Sequence, residues 1–325
     1  MITYEHVCFD SIKELEYSFF KSKYCQYPTF NAYAFMEAYN NLPGCSTECI
    51  VVKDDGEQVG VFSYVKRRKW GMMVIESMPF SLYGGPIVAD KYLNGLLQYF
   101  VESIINKSIV YETRIFLPRL LTGVENAELA RWGFEIISNK AAVVKLPDSE
   151  DALLKSYKHN VRKNINKAKR EGVVITEVSS TKELYEFYKL AKYIYEFHNS
   201  KMPYSYDIYL NMFEKLVKAG LARFNLAKLG DTIIAGGVHF YDEAASEVFN
   251  WLTPSYREYQ QYRANTLLIH EVMKDAMNKG YKTYNLGASP EGEKGLLNFK
   301  HNWGAFDREY SICIRRNILL SWVNF

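Results

Sequence analysis

The sequence predicts an α/β chain in which one unit is written twice. Three observations carry that expectation. An order of helices, hairpin, strand, helix and strand runs through the first half and recurs in the second. Both runs close on a similar turn, Leu129-Ala130-Arg131-Trp132-Gly133-Phe134-Glu135 in one and Phe299-Lys300-His301-Asn302-Trp303-Gly304-Ala305-Phe306 in the other. The chain has 325 residues, 48% hydrophobic and 24% charged, enough for two ordinary domains with their own cores. The expected division is 1–150 and 151–325. Each half is expected to be a mixed, mostly antiparallel sheet flanked by helices.

In the first half, helices are expected from Asp10 or Ser11 and again after Pro28-Thr29. Strands at about 48–54 and 57–69 are joined by Asp54-Asp55-Gly56, a good hairpin turn. A strand to about Met78 leads into Ser81-Leu82-Tyr83-Gly84-Gly85-Pro86. Asp90 caps a helix to about Asn106, followed by strand 109–116, a short helix and strand 133–146. In the second half, helices at about 180–199 and 206–219 precede strands 221–229 and 232–241, turned at Gly230-Asp231. Strand 246–252, a helix from Asn265 to Lys279 ended by Gly280, strand 281–286, a short helix at 294–301 and strand 306–316 complete it.

At the join lies Lys155 to Arg170, with seven Lys or Arg and no acid in sixteen residues, in a chain whose formal net charge is only +3. Tyr157, Val161, Ile165 and Ala168 recur every three or four residues. They make an apolar stripe, with Lys158, Arg162, Lys163, Lys167 and Lys169 around the rest. Such a helix docks on a core and shows cations to an anion, unless it is simply a solvated face. Arg162 offers a fork to phosphate and Lys163 a point charge.

Composition excludes several classes. No stretch approaches the ~20 apolar residues of a membrane helix. The first twenty residues do not read as a leader, so the expected location is cytoplasmic. Five cysteines without a C-x-x-C suggest reduced thiols. No His/Asp/Glu cluster suggests a metal, and Cys45 with Cys49 lacks a matching pair.

Four local signatures then resemble the FemABX-type family, the peptidoglycan-bridge aminoacyl transferases, within the GNAT N-acyltransferase superfamily. They are Pro79-Phe80-Ser81-Leu82-Tyr83-Gly84-Gly85-Pro86; the helix His159 to Ala168 closed by Glu171-Gly172-Val173; Asn265 leading to Tyr284-Asn285-Leu286-Gly287-Ala288-Ser289; and Gly295-Leu296-Leu297-Asn298-Phe299-Lys300 followed by Trp303-Gly304. The resemblance implies tandem GNAT-like domains and a cytoplasmic enzyme of cell-wall biogenesis. It would pass an aminoacyl group from aminoacyl-tRNA to an amine of an anionic, UDP- or lipid-linked muropeptide. No tightly bound cofactor, no DNA partner and no membrane span are expected, while peripheral membrane contact stays open. It also implies that the last strand can return to the first domain. An N-acyltransferase using acyl-CoA or acyl-carrier protein on an amino sugar in polysaccharide assembly, and a non-catalytic RNA-binding module, are the alternatives.

The resemblance places Lys300 at the catalytic cleft, to stabilise an oxyanion or shield a tRNA end, against a plain helix-capping role. Phe299 beside it joins the substrate-binding set. Tyr83, Gly84 and Gly85 form a loop that lets backbone approach a ligand, or else a tight turn into Pro86; the resemblance puts acceptor binding in that half. GNAT enzymes that use coenzyme A carry a Gln/Arg-x-x-Gly-x-Gly/Ala loop before this helix. Here the chain reads Gln260-Gln261-Tyr262-Arg263-Ala264-Asn265, without either glycine. Asn265 suits a helix N-cap, and Tyr256 with Arg257 is placed to reach substrate. His239, Glu243 and Glu247 stand where a base could sit, and none is assigned. The loop with His198 and Asn199 is a further recognition segment.

Overall fold

The computed structural model describes residues 1–11, 33–40, 42–69, 72–78, 80, 82–117, 124–290 and 292–317. The chain forms two compact units, one of residues 1–139 with 309–325 and one of residues 140–308.

In the first unit the strands are β1 (Ile2–Cys8), β2 (Cys45–Asp54), β3 (Glu57–Lys69), β4 (Met72–Glu76), the short β5 (Ile87–Val88) and β6 (Val110–Leu117). The helices are α1 (Tyr33–Asn40), α2 (Asp90–Phe100), which runs on as a π-turn over Val101–Ile105, and α3 (Val124–Arg131). The second unit opens inside β7 (Glu135–Lys145) and continues with α4 (Glu150–Ser156), α5 (His159–Arg170), β8 (Val173–Glu177), α6 (Thr181–Phe197) and α7 (Tyr206–Asn211). Next come β9 (Ala222–Leu229), β10 (Thr232–Asp242), β11 (Glu247–Leu252), α8 (Ala264–Asn278), β12 (Thr283–Ala288), α9 (Lys294–His301) and β13 (Phe306–Arg316), whose later residues belong to the first unit.

The two sheets repeat one pairing scheme. In the first unit β1-β2-β3-β4 are antiparallel neighbours, β4 and β6 are parallel, and β6 pairs antiparallel with β13. In the second, β8-β9-β10-β11 are antiparallel, β11 and β12 are parallel, and β12 pairs antiparallel with β7. The parallel pair needs a crossover, supplied by α2 in one unit and α8 in the other. The fold is thus a tandem of GNAT-like units, with the closing strand of each sheet drawn from the other half of the chain.

Local chemistry accounts for the elements. Asp55 (φ 49°) and Gly56 (φ 86°) make the left-handed two-residue turn between β2 and β3 that the sequence predicts. On α5, Val161, Ile165 and Ala168 are buried together with Tyr157, as the spacing predicts. Ser149 and Ser180 cap α4 and α6 by accepting from the N–H groups of Ala152 and Glu183.

Some expectations fail. The sequence is expected to open on helices, yet the chain begins with strand β1 and a single 3₁₀ turn at Phe9–Ser11. The helix expected from Asp10 or Ser11 and its neighbour's start at Pro28-Thr29 lie outside the described residues, as do Pro79, Ser81 and the end of the chain after 317. Helix α2 has Ala89, not Asp90, at its N-cap position. The edge strand β8 was not expected; only five residues long, it shows no clear alternation. Among the described residues no helix is long and apolar enough to cross a membrane.

Candidate functional site

In the second unit, β11 and β12 run side by side only from Glu247↔Thr283 to Phe249↔Asn285. Beyond that register they part, and divergence at the carboxyl ends of parallel strands opens a crevice for ligands. The end of β12 is fixed from beneath. Glu247, fully buried, is gripped by both Arg308 nitrogens at 2.5 and 2.8 Å and accepts from Thr283 Oγ1 at 3.1 Å and Asn285 Nδ2 at 3.0 Å. Asn285 Oδ1 in turn accepts from the Gly287 N–H at 2.8 Å. Gly287 adopts φ +73°, a turn that favours glycine.

This framework aims two carbonyls at one cation. Lys300 Nζ donates to Gly287 O at 3.0 Å and Ala288 O at 2.7 Å. The lysine is only 6% exposed. Burial lowers its pKa to about 8, so it is mostly an ammonium at neutral pH yet close to titration. An ammonium has three donors, and two point at these carbonyls. The Ser289 hydroxyl, next along the chain, is buried without a protein partner. Lys300 therefore does not cap its own short helix; it ties α9 to the parted end of β12.

On α9, Phe299, Leu296 and Leu297 are partly exposed, and the Phe299 ring meets Trp303 edge-on at 6.2 Å. Trp303 is fully buried against Tyr157, 5.0 Å away. Gly304 has φ +75°, and a Cβ there would stand 2.7 Å from Ser156 O, so the turn requires glycine. The Lys158 N–H donates to Asn302 O at 2.9 Å, which seats the start of the basic helix α5 on the turn after Lys300.

The turn before α8 corrects one expectation. The N-cap residue is Arg263, not Asn265. A 3₁₀ turn over Arg257–Tyr262 delivers the chain to Arg263 in the left-handed conformation, φ 57° and ψ 29°, and the helix begins one residue later. Asn265 instead donates from Nδ2 to Thr253 O and Ser255 Oγ, each at 3.1 Å, tying the helix to the chain leaving β11. Tyr256 packs edge-on against Tyr193 at 4.8 Å, and Arg257 lies over the Phe197 ring at 4.4 Å. Tyr256 and Asn265 thus follow β11 while Lys300 braces β12, so topology brings them to the same end of the sheet.

Arg162 is engaged by the fold. Its Nη1 donates to Leu154 O at 3.2 Å and to Tyr157 O, capping the C-terminus of α4. Lys163 is exposed on the same helix. Lys169 pairs with Glu271 at 3.0 Å. Tyr83, Gly84 and Gly85 belong to the first unit and are buried. The Tyr83 ring meets Tyr310 at 5.2 Å. A Cβ on Gly84 would lie 2.8 Å from Ser77 O, and one on Gly85 (φ +118°) 2.7 Å from a Leu117 methyl. Close packing thus accounts for both glycines.

Of the residues considered as bases, Glu247 is committed to Arg308, Thr283 and Asn285. His239 is fully buried, and burial lowers its pKa to about 3, so it stays neutral. Glu243 is exposed beyond the end of β10. Asn199 holds a left-handed turn, φ 51°, after α6. Sequence reasoning missed Asn285, Arg308 and Ser289. Only the Asn-Leu-Gly spacing hinted at Asn285; Arg308, sixty-one residues from its partner Glu247, gave no local signal.

Residues 155–300 match the family model described as an acetyltransferase (GNAT) domain. That stretch is a GNAT domain, and the protein is an acyltransferase. Among solved structures, FemX is similar at 16% identity over 94% of this chain and 96% of that one, TM-score 0.70. A tandem GNAT protein from the clavulanic acid biosynthesis pathway is similar at 11% identity over 97% and 98%, TM-score 0.63. L-PGS from Bacillus licheniformis is similar at 14% identity over 95% and 93%, TM-score 0.58. At these identities the likeness is one of fold. No curated protein matches in sequence.

Proposed function

We propose that this acyltransferase moves an aminoacyl group from aminoacyl-tRNA to an amine on an anionic cell-wall precursor. The observation that carries the choice of donor is the turn before α8. There Arg263 occupies a left-handed position that glycine would fill in a coenzyme-A loop, so a side chain stands where bare backbone would receive a pyrophosphate. FemX, similar in fold over nearly the whole chain, agrees with this choice. The tandem GNAT protein, whose title refers to AcCoA, keeps an acyl-CoA donor as the second reading.

The chemistry asks little of the chain. The acceptor amine, deprotonated, attacks the ester carbonyl; a C–N bond forms, the oxyanion develops, and the ester C–O bond breaks to free the tRNA hydroxyl. Lys300, as ammonium, has a third N–H to offer that oxyanion, held by two carbonyls so that it need not reorganise. The exposed Phe299 borders it, and Lys163 on the basic helix supplies charge for a phosphate-bearing substrate.

The test pairs ligand-induced shifts in melting temperature with turnover. A UDP-linked muropeptide and bulk aminoacyl-tRNA should raise the melting temperature, because a ligand that binds the native state stabilises it. Lys300→Ala should lower aminoacyl transfer at least tenfold, the scale of a lost transition-state contact. Stabilisation by acetyl-CoA alone would replace the aminoacyl reading with the acyl-CoA one.

A further inference from the structure

The carboxyl end of β11 carries an irregularity that aims one polar side chain. Val238 pairs with Leu252 and His239 with Asn250, so Trp251 is an extra residue on β11, a β-bulge. Bulges re-aim side chains and gather beside active sites. Trp251 turns toward α7, where its ring meets Tyr204 at 5.4 Å, Tyr209 at 6.0 Å and Phe240 at 5.6 Å.

Asn250 takes the other face. Val248, two residues earlier, is buried in the cluster that α5 and α8 cover, and side chains alternate along a strand. Thr253 stands on that face too: a Cβ on Gly237 would meet the Thr253 methyl at 3.3 Å and a methyl of Leu268, on α8, at 2.8 Å. The same cluster contains Trp303, three residues after Lys300, so α9 brings Lys300 in from this side as well. Asn250 is the first residue of β11 past its parallel register with β12, whose last pair is Phe249↔Asn285. It therefore stands where the strands part, across from the β12 end that Lys300 braces.

A relay of bonds orients its carboxamide. Asn265 Nδ2 on α8 donates to Thr253 O at 3.1 Å, and Thr253 Oγ1 donates to Asn250 Oδ1, also at 3.1 Å. The amide oxygen is thereby engaged and the amide nitrogen turned away from Thr253. That nitrogen is open to solvent and has no acceptor among the described residues.

We propose that Asn250 Nδ2 is a second donor to the carbonyl oxygen of the group being transferred, opposite Lys300 Nζ. This role rests on Lys300 being the ammonium that faces the oxyanion. It does not rest on the choice of donor substrate, since an aminoacyl ester and an acyl thioester share that carbonyl. As the acceptor nitrogen bonds to the carbonyl carbon, the carbonyl π pair moves onto oxygen. Two fixed N–H groups from opposite walls then receive the charge, with no reorganisation needed. When the pair returns, the ester C–O or thioester C–S bond breaks, and the leaving atom takes the proton that the acceptor nitrogen loses.

The experiment measures steady-state turnover of the full chain on two pairs: aminoacyl-tRNA with a UDP-linked muropeptide, and acetyl-CoA with glucosamine. Asn250→Ala should lower kcat about a hundredfold with KM nearly unchanged, the signature of a contact made only in the transition state. Asn250→Asp keeps an oxygen for Thr253 and should melt close to the parent, yet lose at least as much turnover, because it sets a carboxylate against the oxyanion. Thr253→Val should lose roughly tenfold, since it frees the carboxamide to rotate but leaves the donor in place. A parent active only with acetyl-CoA would overturn the choice of aminoacyl-tRNA and leave the Asn250 variants to be read on the second pair. On whichever pair the parent turns over, Asn250→Asp with a kcat within about twofold of the parent would overturn the role of Asn250. So would a rise in KM at constant kcat in Asn250→Ala, which marks a contact made equally in the ground state.

Discussion

The two Trp-Gly turns make the most instructive comparison within this molecule. Gly133 and Gly304 both have left-handed φ, +81° and +75°, and each N–H donates to the carbonyl three residues back, at Ala130 and His301. Three residues before each tryptophan stands a buried side chain. In the first unit it is Leu129, 2% exposed, inside an apolar cluster with Phe134. In the second it is Lys300, held by two carbonyls of β12. One local geometry therefore serves two purposes: apolar burial anchors a helix in one unit, and in the other a buried cation anchors it at the parted strands. A lysine in such a place costs desolvation that leucine does not, and catalysis is the reason proposed for keeping it.

Exchanging the two residues tests this most severely. Leu129→Lys puts an ammonium in an apolar cluster and should destabilise the protein by about 3–5 kcal/mol in denaturant titration. Lys300→Leu should leave stability nearly unchanged while abolishing most transfer activity. A Leu129→Lys variant as stable as the parent would mean that the first unit can also accommodate a cation at this position.

The two glycines come next. Gly304→Ala meets backbone at Ser156 O as well as the positive φ, and should cost about 3 kcal/mol. Gly133→Ala meets only the Arg315 Nε at 3.4 Å and should cost about 1 kcal/mol, the conformational penalty alone. Equal losses would show that the Ser156 contact yields easily and that the seating of α5 on this turn is soft.

Much of this was legible in the sequence, and the exceptions share a cause. The hairpin at Asp54-Asp55-Gly56, the buried stripe of α5 and the helix that holds Lys300 were all read from local spacing. Spacing does not reveal that Arg162 Nη1 serves carbonyls of the preceding helix. Asn265 has the chemistry of an N-cap, yet a left-handed Arg263 ends the turn first. The carboxylate network of Glu247, Asn285 and Arg308 joins residues far apart in sequence, and the exchange of closing strands β7 and β13 is a pairing choice rather than a local preference. What depends on one segment was readable; what depends on distant partners was not.

The titration of Lys300 gives a subtler contrast. Its folded pKa of about 8 lies below the ordinary lysine value near 10.4. Between those values the unfolded chain binds more protons, so this residue's contribution to stability is lowest below pH 8 and rises as the pH climbs toward 10.4. Lys300→Met removes the effect. The stability difference between parent and variant, followed by denaturant titration from pH 7 to 10, should move in the parent's favour by about 2 kcal/mol. A constant difference would mean that the ammonium is well solvated. Transfer activity should fall over the same range as the ammonium is lost, and a rise would assign Lys300 to proton removal instead.

The smallest effect concerns the turn that bears on donor choice. Arg263 is held at φ 57°, a conformation that costs a side-chain-bearing residue about 1 kcal/mol and glycine little. Glycine also gives the unfolded chain more freedom, which offsets part of that gain. Arg263→Gly should therefore change stability by less than about 1 kcal/mol. Its informative readout is binding. If the arginine is what keeps coenzyme A from the helix N-terminus, the variant should show a melting-temperature rise with acetyl-CoA that the parent lacks, with aminoacyl transfer retained. If parent and variant respond alike, donor choice resides in the residues after the turn, beginning with Asn265, whose ties to Thr253 and Ser255 fix the chain between β11 and α8.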